Sequence, residues 1–208
     1  MFDEKMAAAV ETAQKRLMQT TGQGSVLMQL AKDMDELAEL ADRLDPSRID
    51  FDKGGLEKLK INAYWNRFEE YYPALKELFG RMERSKKILS NSITTVNRFC
   101  EEYKTAYDKF RSLPDDVKDE DYYRQAAVCE NMSLMLENSV SEHKAAQERL
   151  TRLLTLLESS IDMAVLLAKQ KSGHDVGMAL GRTARTSVSG REYCENFVEM
   201  KRWLGNNK

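Results

Sequence analysis

Counting forward from Phe68 in alternate steps of four and three reaches Tyr72, Leu75, Phe79, Met82, Lys86, Leu89, Ile93, Val96, Cys100, Tyr103, Tyr107 and Phe110. Twelve of these thirteen positions are apolar, a heptad pattern that holds without a slip. Trp65 and Ile61 extend it backward. Pro73 and Gly80 lie inside the stretch, yet neither resets the phase, as a redirection of the chain would. The pattern predicts one helix over 55–112, roughly 85 Å long at 1.5 Å per residue. Pro73 removes a hydrogen bond and bends that helix without ending it.

After the polar stretch LPDDVKDED the same count runs through Tyr122, Ala126, Cys129, Ser133, Leu136, Val140, His143, Gln147, Leu150, Leu154, Leu157, Ile161, Ala164 and Ala168. Eleven of the fourteen are apolar, which predicts a second long helix over 119–171. Asp119, Glu120 and Asp121 suit its first turn, Lys169 and Lys171 its last, and Gly173 stands just beyond. Two such stripes joined by a short connection predict a long antiparallel coiled-coil helical hairpin. Two registers fit. If paired residue numbers sum to 229, the turn centres on Pro114 and Asp115, Cys100 faces Cys129 and Lys86 faces His143; if they sum to 236, Cys100 faces Leu136 and Lys86 faces Leu150. The first places the turn on the proline and groups the polar seam residues.

Shorter stripes flank the hairpin. Residues 1–54 hold two short helices, one with Met6, Val10, Ala13 and Leu17, the other with Leu27, Leu30, Met34, Leu37, Ala41 and Leu44. A C-terminal helix over 191–204 offers Tyr193, Phe197, Met200 and Leu204. Apolar positions outside the seam, among them Tyr64, Tyr71, Leu78, Leu153, Leu156, Met163 and Leu167, supply what these helices would cover. The expected architecture is one all-α domain over 1–208, in which the shorter helices form a bundle at the base of the hairpin. Residues 172–190, rich in Gly, Ser, Thr and Arg, read as a flexible basic segment.

Composition adds limits. The 32 Lys and Arg against 34 Asp and Glu leave a net charge of −2, which weighs against nucleic acid and gives no general pull to an anionic membrane. Cys100, Cys129 and Cys194 show neither CxxC spacing nor a disulfide framework, and they fit a reducing compartment. MFDEKMAAAVETAQKR carries acids ahead of its apolar residues, unlike a secretory signal, and the longest apolar run, MAVLLA, is far short of the ~20 residues that span a bilayer. A cytoplasmic location is expected.

Catalytic patterns are absent. HExxH, GxSxG, a P-loop and GxGxxG do not occur, and the residues three before His143 and His174 are Val140 and Lys171, so the Glu-x-x-His pairs of a di-iron bundle are missing. Gly173, Gly177 and Gly181 recur every four residues, but without a preceding strand or a following GK they read as helix packing or a loop. No enzyme activity, metal or cofactor is expected. His143 on the seam reads as part of a polar layer that fixes register. The run CENMSLML is either core or an adaptable binding surface, and its helical spacing favours core.

Two charge features remain: the acidic tip of Asp115, Asp116, Asp119, Glu120 and Asp121, and the basic stretch of Lys169, Lys171, Arg182, Arg185 and Arg191. With Phe99 on the outer face of the first long helix, they are the candidate partner-binding residues. The expected function is that of a non-enzymatic interaction or assembly protein, a structural subunit or adaptor with a protein partner or a homo-oligomer. The alternative is a peripheral membrane-binding helical module using residues 169–191. Far-UV circular dichroism should show a strong helical spectrum with no strand contribution.

Overall fold

A computed structural model describes residues 15, 26–55, 57–173, 176, 178, 180 and 187–206. Among the described residues four α-helices have given bounds: α1 (Val26–Arg43), α2 (Glu57–Arg111), α3 (Glu120–Ser172) and α4 (Gly190–Asn206), with a short 3-10 turn at Asp115–Val117. There is no strand among the described residues. The protein is all-helical. Of the first helix expected near Met6–Leu17, only Lys15, which is helical, falls within the described residues.

α2 runs unbroken through Pro73. Pro73 and Glu69, whose carbonyl loses its partner to the proline ring, both face solvent, so water satisfies the lost bond. None of the thirteen heptad positions counted from Phe68 is exposed, and thirteen of the fourteen counted from Tyr122 are buried. The expected spans of 55–112 and 119–171 differ from the observed ends by one or two residues. Gly173, at φ 65°, stops α3, the left-handed conformation that a glycine adopts without a Cβ clash.

The chain divides into two compact units, and each long helix contributes to both. The first unit comprises Lys86–Glu148 with the described residues of Met1–Gln29. In it Val96, Cys100 and Tyr103 of α2 pack with Cys129, Met132, Leu136 and Val140 of α3. The helices run antiparallel: the Phe110 ring meets Tyr122 at 5.8 Å, the Tyr122 hydroxyl donates to the Phe110 carbonyl at 2.5 Å, and Cys100 Sγ reaches the Ser133 carbonyl at 3.7 Å. With Lys104 and Glu137 paired at 2.6 Å, these contacts sum to 232, 233 and 241 and select neither expected register. Met132 and Ser139, off the four-three count, are buried beside Ser133 and Val140, so α3 is turned relative to a two-position seam. His143 is fully buried; its Nδ1–H donates to the Ser139 carbonyl at 2.7 Å, since a carbonyl only accepts.

The second unit comprises Leu30–Ser85 and the described residues of Arg149–Lys208. Its centre is aromatic. Phe51, in the connection after α1, stacks against Tyr64, Trp65 and Tyr193 with centroids 5.4, 5.2 and 5.8 Å away. Tyr64 donates its hydroxyl proton to the Leu44 carbonyl at 3.0 Å, which leaves Tyr193 to donate to Tyr64. Asp33, 1% exposed on the inner face of α1, meets Arg81 Nε at 3.0 Å. Lys201 of α4 bridges Asp42 and Asp45 at 2.9 and 2.6 Å. Among residues expected to form a flexible basic segment, Val176 and Val188 are buried, Met178 accepts a bond from Tyr72, and the Leu180 amide donates to Asp162 at 2.6 Å.

α4 starts with a capping box. The Ser189 hydroxyl accepts from the Glu192 amide at 3.2 Å, and the Glu192 carboxylate accepts from the Ser189 amide at 2.9 Å. Gly190 sits between them against Phe51, where an added Cβ would lie 2.5 Å from the Phe51 Cβ. Gly190→Ala should therefore destabilise the protein by about 1–3 kcal/mol through overpacking. Urea unfolding should show a lower midpoint, whereas Gly205→Ala, with open space around it, should not.

Candidate protein-binding surface

The acidic tip residues come together, and all five are exposed. Two cations, Lys118 and Arg124, answer part of their charge. Asp115 pairs with Lys118 at 2.6 Å, which holds its carboxyl below the usual range. Asp119 caps α3 by accepting from the Tyr122 amide at 2.8 Å. Arg124 reaches back to Glu120 at 3.7 Å and to Asp121 at 3.5 Å. Asp116 is left facing water.

The basic residues are not gathered into a patch among the described residues. Lys171 is held by Asp52 at 2.8 Å, and Arg191 by Glu195 at 2.8 Å, whose bond raises the guanidinium further above its ordinary value. Lys169 is exposed, and Arg182 and Arg185 lie outside the described residues. No helix of the described residues is long and apolar enough to cross a membrane.

Phe99 is only partly exposed. It packs on the core of the first unit with Ala106, and Arg98 stands 5.2 Å over its ring. The more open apolar face is on the other long helix. Tyr123, Val128, Leu134 and Met135 of α3 are 61, 37, 52 and 53% exposed. At 100° per residue Tyr123, Ala127, Leu134 and Asn138 fall within about 60° of one another, with Asn131, Met135 and Val128 alongside. Exposed Glu130 and Glu137 fall within about 40° of Tyr123 on its other flank, so this outer side carries Arg124, Glu130 and Glu137 between Tyr123 and Asn138. Farther along α3, exposed Glu142, Glu148, Arg149 and Arg152 restore an ordinary solvated face.

The run CENMSLML is thereby divided. Met132 and Leu136 are core, while Leu134 and Met135 point outward. Helical spacing alone favours core because it detects the inward residues. The outward ones carry no such signal, since Arg124, Glu130 and Glu137 are exposed on the same side of the helix.

In the second unit a groove of about 900 Å³ runs along α4, lined by Ser47, Arg152, Cys194, Glu199, Arg202 and Trp203. Its thiol is a poor nucleophile. Burial first, then the charges of Asp45, Asp50, Asp52 and Glu195, push Cys194 up to about 11, and its Sγ lies 3.7 Å from the Pro46 carbonyl. No group of His, Cys, Asp and Glu among the described residues has the arrangement of a metal site.

Iodoacetamide should therefore alkylate Cys194 on the order of a hundredfold more slowly than a free thiol at pH 8, because the thiolate is the reacting form. The rate should climb as pH approaches 11 and unfolding should abolish the protection; rapid labelling of the native chain at pH 8 would contradict this. No protein-family model matches the chain, and comparisons with curated proteins and with solved structures give no match, so its function rests on its own geometry.

Proposed function

We propose that this chain is a non-enzymatic interaction protein whose long helices pair as an antiparallel coiled-coil hairpin and bind another protein, a second copy included, through the outer face of α3. The observation that carries the reading is the stripe of Tyr123, Val128, Leu134 and Met135, four large apolar side chains, each more than a third exposed, on the outer side of α3. Each contributes roughly 1.5–3 kcal/mol when fully buried. Association itself costs an estimated 4–15 kcal/mol. Four side chains burying against a polar surface would barely offset that, so the partner must bring an apolar face of its own. A second copy would do so by symmetry, each stripe covering the other. The tip supports the same reading in a lesser role: its exposed acids, only partly paired by Lys118 and Arg124, would tune orientation and encounter more than affinity.

The test replaces Leu134 and Met135 together by Glu. Both side chains are more than half exposed, so helicity should be unchanged. Light scattering should find the native chain in a complex, either with itself or with a protein captured from its source lysate and identified by mass spectrometry, and the variant should lose it by at least tenfold in Kd. The reading falls if the variant associates as the native chain does. If the native chain stays monomeric, captures no protein and binds anionic vesicles, the membrane reading through residues 169–191 replaces it.

A further inference from the structure

Charge around the stripe of Tyr123, Val128, Leu134 and Met135 is one-sided. Residues 115–142 carry eight acids, the five of the tip with Glu130, Glu137 and Glu142, against Lys118 and Arg124 alone. All eight acids are exposed. On the other long helix of the same unit the balance is reversed, with six basic and three acidic residues over 86–111. Internal pairing removes part of the acidic excess. Lys118 takes Asp115 at 2.6 Å, Arg124 lies 3.7 and 3.5 Å from Glu120 and Asp121, and Lys104 reaches across from α2 to Glu137 at 2.6 Å. Asp116, Glu130 and Glu142 have no ion pair among the described residues. Around the helix Glu130 and Glu137 border the stripe on its Tyr123 edge and Asp121 on its Val128 edge, while Glu120 and Glu142 lie beyond its two ends.

Whatever covers this face must match it twice. It needs apolar surface against the four side chains and cations along the edges, because like charges brought together are unfavourable and unlike ones steer the encounter. A second copy meets the first condition only. An antiparallel two-fold pair sets each edge of α3 against the same edge of its mate, so Glu130 and Glu137 meet their own counterparts; a parallel pair lays one acidic tip beside the other. Anionic lipid and nucleic acid are repelled for the same reason. We propose that the occupant is a basic amphipathic helix of a different protein, with apolar residues at three- and four-residue spacing and Lys or Arg on both edges of that stripe. From Tyr123 to Met135 is roughly 18 Å at 1.5 Å per residue, so three to four turns of such a helix cover it. This rests on the reading that the outer face of α3 binds protein, and it specifies the partner's chemistry.

Two fluorescein-labelled eighteen-residue peptides test it against the full-length protein by fluorescence anisotropy. Both carry the same leucine stripe at helical spacing, and the remaining positions are lysine in one and glutamate in the other. The lysine peptide should bind at least tenfold more tightly than the glutamate peptide, and at least fivefold more weakly when salt is raised from about 50 to about 300 mM. Leu134→Ser with Met135→Ser, which leaves the charge intact, should weaken it at least tenfold. Glu130→Gln with Glu142→Gln, which leaves the stripe intact, should weaken it at least threefold. All four residues are exposed, so the circular dichroism of both variants should match that of the native chain. Equal binding of the two peptides, binding of neither, or unchanged binding in either variant would overturn the proposal. So would a native dimer that the serine variant abolishes, or binding to vesicles of phosphatidylcholine and phosphatidylserine that the serine variant loses. Failure with the peptides is distinct from failure of the protein-binding reading, which the glutamate substitutions of Leu134 and Met135 decide separately on the native complex.

Discussion

A helix of 55 residues cannot hide its own apolar stripe, and the continuity of α2 through Pro73 therefore governs the rest of the molecule. α1 and α4, at 18 and 17 residues, are too short to cover it. Only α3, with 53, has the length. Continuity at Pro73 depends on where the defect falls. The proline sits on the solvent side of the heptad, so the carbonyl it strips of a partner is hydrated instead of buried. The same residue one position earlier, in place of Tyr72, would have put an orphaned carbonyl nearer the interior.

Within that frame the interior is not purely apolar, and its polar members fix how elements meet. Tyr64 and Tyr193 come from helices far apart in sequence and share one chain of hydrogen bonds ending on Leu44. Burial dominates what raises the Tyr64 phenol far above its ordinary range, so it stays a neutral donor. Asp33 and Arg81 fix the face that α1 presents to α2, because a buried carboxylate without its guanidinium would be strongly unfavourable. In the first unit, His143 and Ser139 share the same helix, and their bond orients the imidazole without tying it to α2.

The surface follows from how charges are answered. Lys118, Arg124, Asp52 and Glu195 each neutralise a group that stands out in the sequence as part of a charge run. Exposed pairs of this kind contribute little to stability, typically 0 to about 1 kcal/mol. Their effect is to reduce the charge that the tip and the residues beside α4 present to solvent. The Tyr123–Met135 stripe adds exposed apolar side chains to that surface.

Sequence alone determined the all-helical class, the two long helices and nearly all of their inward residues, because a period of seven repeated many times outweighs any local defect. Tertiary structure decided the remainder. Met132 and Ser139 widen the buried face of α3 beyond two heptad positions, which heptad counting does not contain. Asp33 reads as solvent-facing by its charge, and only Arg81, forty-eight residues on, makes its burial possible. Phe99 and the pair Leu134 and Met135 look alike as off-seam apolar residues. Phe99 was drawn onto the core of the first unit while Leu134 and Met135 were left facing water, because exposure depends on what an opposing helix covers and not on the residue's own position in the repeat.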